Sequence, residues 1–224
     1  MALTVSDTAR VLVVNDDSLE LTTMANSLRM QGIHVAGEAH NMLSAENLYH
    51  SLKPEIFLID MQHAVDEALN LLQRCRKLDP HLGIVLMTSC PDLRLFGISE
   101  RNLPKGCTVI LKRNISDIGI IAEAIRTSRD SAKAGEKAVW QGLMNTELDR
   151  TLSEFTDVQI ETLRLVAQGL TNSEIARVRY VSEKSVEQAV ARIAGHMRLT
   201  PDKSHNLRVA ITSQYFRWLG SSLK

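Results

Sequence analysis

Between residues 10 and 128 the chain alternates short apolar runs with longer amphipathic segments, and no other feature restricts its fold so tightly. The runs are Val11–Val14, Ile33–Ala36, Ile56–Ile59, Ile84–Met87 and Val109–Leu111. Each is bounded by polar or turn residues, and most are rich in Val and Ile, as strands buried on both faces require. The segments between them carry apolar residues at helical spacing. Leu19–Met30 does so at Leu21, Met24 and Leu28, Ala64–Leu78 at Ala68, Leu71, Leu72 and Cys75, and Ile118–Ile125 at Ile118, Ile121, Ala122 and Ile125. Such alternation predicts a parallel sheet covered by helices on both faces. Five strands fit a flavodoxin-like α/β fold, whose ligands sit beyond the carboxyl ends of the strands.

The pattern then changes. Residues 129–150 are small, charged and polar, as at Ser131, Lys133, Gly135 and Glu136, and read as a partly helical linker. From Phe155 onward the sequence is all-helical. Thr156-Asp157-Val158-Gln159 is a capping box, and Gly169 stops the helix that it starts. Thr171 or Asn172 caps a second helix over Ser173–Arg179, and Ser182 caps a third over Glu183–Arg198 that Pro201 breaks. A fourth spans Leu207–Leu219. Ile175, Ala176 and Val178 facing Val186, Val190 and Ile193 supply an apolar seam between the second and third helices. The expected organisation is an α/β domain over 8–128, a linker over 129–150 and an all-α four-helix domain over 151–224. Helix, tight turn, helix is a layout that presents one helix to a DNA groove.

A chain of 224 residues suits two domains. No uninterrupted apolar stretch approaches the ~18 residues of a membrane span, and the polar first ten residues hold no signal-type run, so a cytoplasmic location and no membrane partner are expected. Cys75, Cys90 and Cys107 lack metal-ligand spacing and read as reduced, packed thiols. Cys90, beside Thr88, reads as a buried or loop thiol, and His63 as a surface-loop histidine. Formal charge sums to zero, but residues 151–224 hold 10 Lys/Arg against 7 Asp/Glu and residues 1–128 hold 12 against 15. The basic end is therefore the one suited to a polyanion.

The chemistry-bearing residues of the first domain follow the apolar runs. Asp16 and Asp17 follow the first, Asp60 the third, Thr88 and Ser89 the fourth, and Lys112 the fifth. In a parallel sheet these ends share one edge, so the side chains converge. Paired carboxylates suit Mg²⁺, and one carboxylate can attack a phosphoryl group while the metal and the lysine offset charge on its oxygens.

This ordered set resembles the receiver domain of two-component response regulators. The resemblance is carried by Val11-Leu12-Val13-Val14-Asn15-Asp16-Asp17, Phe57-Leu58-Ile59-Asp60, Leu86-Met87-Thr88-Ser89 and Leu111-Lys112. It implies that Asp60 is a phospho-acceptor served by a histidine kinase and that Asp16 and Asp60 bind Mg²⁺. It further implies that Thr88 engages the phosphoryl group and that Lys112 is its cationic partner. The family's acidic pair falls on Asn15 and Asp16, so an amide replaces one carboxylate and weakens the attraction for Mg²⁺. Asn15 and Asp17 are secondary metal candidates; Asp17 compensates only if the strand slips by one residue, which would exchange its faces. Arg113 stands where the family has Pro, Val109 at its aromatic position, and Met61-Gln62-His63-Ala64 in place of its Pro-containing loop.

Residues 155–197 resemble the helix-turn-helix of the NarL/LuxR/FixJ group through Leu163-Arg164-Leu165-Val166-Ala167-Gln168-Gly169-Leu170-Thr171-Asn172-Ser173-Glu174-Ile175-Ala176 and Val181-Ser182-Glu183-Lys184-Ser185-Val186. The resemblance implies a DNA-binding homodimer contacting double-stranded DNA through Lys184, Ser185, Glu187, Gln188, Arg192 and Arg198. Lys184, Arg192 and Arg198 are the phosphate anchors; Gln188 can pair with adenine and Glu187 can accept from cytosine N4. Glu187, Ala189 and Gln159 depart from the family's Lys, His and Glu. The last helix would dimerise through Val209, Tyr215 and Phe216. The expected function is transcription control rather than catalysis, switched by phosphorylation of Asp60. The alternative is a phosphorylation-independent regulator acting through dimerisation or protein–protein contacts, which Asn15 and Glu187 favour.

Overall fold

The structure is a computed structural model and describes residues 9–61, 65–135, 138–141, 151–199 and 206–219. By its contacts the chain divides into two units, Met1–Ser89 with Glu100–Leu143, and Cys90–Ser99 with Met144–Lys224.

The first unit is built on a parallel sheet in the order β2-β1-β3-β4-β5-β6. Its strands are β1 (Val11–Val14), β2 (Val35–Ala39), β3 (Ile56–Asp60), β4 (Gly83–Thr88), β5 (Thr108–Leu111) and β6 (Val139–Gln141). Every residue of β1, β3, β4 and β5 is buried, which is why these segments read as unbroken apolar runs. The first five strands have the expected doubly wound order. The sixth comes from the stretch expected to be linker.

Among the described residues four helices accompany the sheet: α1 (Ser18–Met30), α2 (Met42–Leu52), α3 (Val65–Leu78) and α4 (Ile118–Ala134). α2 has no counterpart among the predicted helices, because it buries only Ala45 and Tyr49. α4 continues to Ala134 instead of ending with its large apolar residues at Ile125. Its later buried positions are Ser128 and Ala132, small enough for close approach but invisible to an apolar-period search. Gly106, at φ +67, faces the backbone carbonyl of Ser131, and a Cβ there would overlap it.

No α-helix joins β4 to β5. Two 3-10 turns, Leu93–Phe96 and Glu100–Asn102, lie in that connection. The first packs within the second unit, whose core includes Cys90 and Leu95. Arg94 fixes this segment. Its guanidinium grips both oxygens of Asp92 and reaches the Leu152 and Phe155 carbonyls and the Asp157 carboxylate.

The second unit holds α5 (Asp157–Ala167), α6 (Asn172–Arg179), α7 (Glu183–His196) and α8 (Leu207–Trp218). This is the expected four-helix helix-turn-helix arrangement. The caps are local and explicit. Thr156 and Gln159 form the capping box of α5, while Thr171, Ser182 and Asn206 each accept backbone N–H groups at the starts of α6, α7 and α8. Ile175 and Ala176 are buried with Val186, Val190 and Ile193, but Val178 is exposed and does not join the seam. Arg179 ties α6 to α5 through Glu161 and the Thr162 hydroxyl. Pro201 lies outside the described residues. Among the described residues no helix is long and apolar enough to cross a membrane.

Candidate regulatory pocket and nucleic-acid face

At the carboxyl edge of the first unit, β1 delivers Asn15, β3 ends in Asp60, β4 ends in Thr88 and β5 leads into Lys112. Sheet register places Asp60 opposite Met87 and Thr88 opposite Leu111, so these ends are neighbours. Asn15, Asp60 and Thr88 are buried. Asp60 Oδ2 accepts a hydrogen bond from Lys112 Nζ at 2.8 Å and another from Asn15 Nδ2 at 3.1 Å.

A fourth member comes from α1. Glu20 Oε2 accepts from Lys112 Nζ at 2.6 Å and from Asn15 Nδ2 at 3.1 Å. The sequence reading missed Glu20, although Asp17-x-x-Glu20 is a capping signature that could have drawn attention to it. Asp17 itself is the N-cap of α1 and accepts from the Leu19 and Glu20 amides. Asp16 is exposed, and its charge acts on Asp60.

Burial pushes the Asp60 carboxyl up from the ordinary aspartate value. The Lys112 contact opposes that push without cancelling it, and the charges of Glu20 and Asp16 add to it. Glu20 is held below its ordinary value, chiefly by the Lys112 hydrogen bond. Burial alone would lower the Lys112 ammonium, but its bonds to Asp60 and Glu20 prevail and raise it. The Asp60 side chain is 0% exposed, whereas that of Lys112 is partly exposed.

Among the described residues the oxygen set that Mg²⁺ requires is not assembled. Asn15 turns its NH₂ group toward the carboxylates, while its Oδ1 accepts from the Asp17 amide at 2.8 Å. Among the described residues no group of three His, Cys, Asp or Glu side chains is placed to hold a metal ion. Asp60 Oδ1 is buried and has no hydrogen-bond partner.

Of the expected accessory residues, Arg113 is exposed and Val109 is buried in β5, while His63 lies outside the described residues. Cys90 is fully buried, its thiol donating to the Asp92 carbonyl. Burial also pushes the Cys75 and Cys107 thiols up to about 12, which leaves them unreactive near neutral pH.

In the second unit, Lys184, Ser185, Glu187, Gln188 and Arg192 are all exposed, while Val186, Val190 and Ile193 anchor the opposite side of α7. Arg198 is exposed in the turn after α7, at φ +55. The three expected dimerisation residues separate. Val209 is 62% exposed, and with the partly buried Phe216 it lines an open groove of about 390 Å³ beside Val166, Gly169 and Arg208. Tyr215 belongs instead to the core, where its hydroxyl donates to the Leu95 carbonyl at 2.7 Å.

Fold and edge chemistry together define a two-unit protein: a doubly wound sheet with a buried carboxylate–lysine pocket, and a helix-turn-helix with an exposed polar face. No family model matches the chain. It is 26% identical over 194 residues to the response regulator protein VraR of Staphylococcus saprophyticus, covering 85% of this chain and 90% of that protein. Its identity to VraR of Staphylococcus aureus is 25% over 196 residues, or 86% and 91% of the two chains. Among solved structures, it matches two RcsB dimers bound to two parallel DNAs, with a TM-score of 0.57 at 18% identity over 95% of this chain and 100% of that one. It also matches a complex of the two-component response regulator RcsB with DNA, with a TM-score of 0.53 at 17% identity over the same shares. These structural likenesses show a shared fold across both units.

Proposed function

We propose that this chain is a DNA-binding transcription regulator of the response-regulator type, with α7 as the DNA-reading helix and the Asp60 pocket as the point of control. The observation that carries this reading is the polar face of α7. Five exposed side chains able to meet bases or phosphates stand on a helix whose other side is locked into the core. The VraR relatives and the RcsB–DNA structures support it. Double-stranded DNA is the partner, bound by a homodimer in the cytoplasm, with Val209 and Phe216 at the contact between copies. Lys184, Arg192 and Arg198 neutralise phosphates, while Ser185, Glu187 and Gln188 face the bases. In a gel shift with genomic fragments, Lys184→Ala with Arg192→Ala is expected to weaken binding at least about tenfold. Unchanged binding would remove this face from the proposal.

For control, Asp60 accepts a phosphoryl group from a histidine kinase. Its unpartnered Oδ1 supplies the attacking lone pair, Lys112 offsets charge, and the Thr88 hydroxyl meets the phosphoryl oxygens. Asp60→Asn is expected to abolish uptake of label from a phosphodonor; uptake equal to wild type would overturn the assignment. A second reading, control without phosphorylation, is favoured by the Asn15 amide that faces Asp60 where a metal-binding carboxylate is expected.

A further inference from the structure

We propose that the Lys112 ammonium is the pocket's built-in cation: with the Asn15 amide it bridges Asp60 to Glu20 and fills the role of a divalent ion, and Glu20 is the positioning residue that keeps it there. This deepens the reading of Asp60 as the point of control and rests on it.

The geometry is a closed ring. Two donors, Lys112 Nζ and Asn15 Nδ2, each bond the same two acceptors, Asp60 Oδ2 and Glu20 Oε2. The orientation of Asn15 is fixed three times over. A half-turn of its amide would press the carbonyl against two carboxylate oxygens and set the NH₂ against the Asp17 N–H, losing all three bonds. It therefore offers the pocket donors and no ligand oxygen.

Glu20 reaches the ring because its ordinary task has been taken over. It stands three residues after the Asp17 N-cap, where a glutamate usually turns back to the cap's N–H. Asn15 Oδ1 accepts from that N–H instead, and Glu20 extends toward Lys112. A divalent ion entering between Asp60 and Glu20 would meet an ammonium already within hydrogen-bonding distance of both oxygens, and like charges so close repel strongly.

The test is Mn²⁺ binding by the full chain, read from the loss of the free-ion paramagnetic resonance signal. Wild type is expected to show no saturable binding. Lys112→Met vacates the cation position and is expected to bind Mn²⁺ at least about tenfold more tightly than wild type. Circular dichroism checks that each variant is folded. If Lys112→Met does not fold, Lys112→Gln, which removes the charge but keeps a polar side chain, serves in its place and must show the same gain. Saturable wild-type binding as tight as the variant's overturns the built-in cation, as does a folded variant with no gain. Glu20→Gln alone is expected to shift the Lys112 ammonium resonance and lower its titration midpoint; an unchanged Lys112 signal overturns the role of Glu20. Control through Asp60 is tested separately: an Asp60→Asn chain whose DNA binding equals wild type under phosphodonor removes Asp60 as the point of control and leaves the metal measurement standing.

Discussion

The Asp60 pocket and the outward face of α7 are both clusters of charged and polar side chains, yet they are held by opposite means. The pocket draws Asn15, Glu20, Asp60 and Lys112 from β1, α1, β3 and the end of β5, and each is kept in place by another member. The α7 face draws neighbours in sequence, and the helix alone sets their directions. Around the buried Asp60, removing the cation leaves a carboxylate with uncompensated charge. On an exposed face, removing one group leaves water in its place. The pocket's residues are thus fixed by mutual need, whereas the face's residues are held only by the helix that carries them.

The sharpest way to break this comparison is to remove one lysine from each region. Lys112→Met is expected to lower the unfolding free energy by about 3–5 kcal/mol in a urea titration, because Asp60 and Glu20 are left facing each other. Lys184→Ala is expected to stay within ~0.5 kcal/mol of wild type. Equal costs would dissolve the distinction. A smaller effect marks where interior gives way to face along α8. Tyr215→Phe strands the Leu95 carbonyl and is expected to cost about 1–3 kcal/mol, while Val209→Ser is expected to change stability by no more than ~0.5 kcal/mol. The smallest effect concerns charge alone. The folded-state value of Asp60 lies above its unfolded value, so its ionised form weakens the fold at neutral pH, and its contribution improves as pH falls through the folded value. Asp60→Asn is therefore expected to raise the melting temperature at pH 7, with the gain shrinking on acidification. A gain that grows on acidification would reverse the sign assigned to this buried carboxyl.

The same contrast explains what was legible in the sequence. The caps of α5, α6 and α7 and the exposed side of α7 depend on residues a few positions apart, and their spacing displays them. Asp60, Thr88 and Lys112 were legible because each follows a buried strand. Glu20 was not, because its partner Lys112 is distant in sequence and only the sheet brings the two together. Asn15 was legible as a missing carboxylate but not as a donor, since the direction of an amide is set by its neighbours. Tyr215 reads as a surface aromatic on a helix with apolar residues on several sides; the Leu95 carbonyl that makes it a core residue comes from a distant turn. The later turns of α4 were hidden because Ser128 and Ala132 bury a helix face without looking apolar.

Cys90–Ser99 belongs by its contacts to the same unit as α5 to α8, although the chain returns to the sheet before reaching them. The helix-turn-helix unit is therefore discontinuous in the gene. During synthesis its first piece leaves the ribosome well before the rest, and Leu95 must wait for Tyr215 and Phe155 before it is covered. A fragment begun after the sheet would carry all four helices and still lack part of its own interior. Cutting and rejoining this protein at the apparent boundary is thus not a neutral operation, and a recombined relative would have to inherit those ten residues as well.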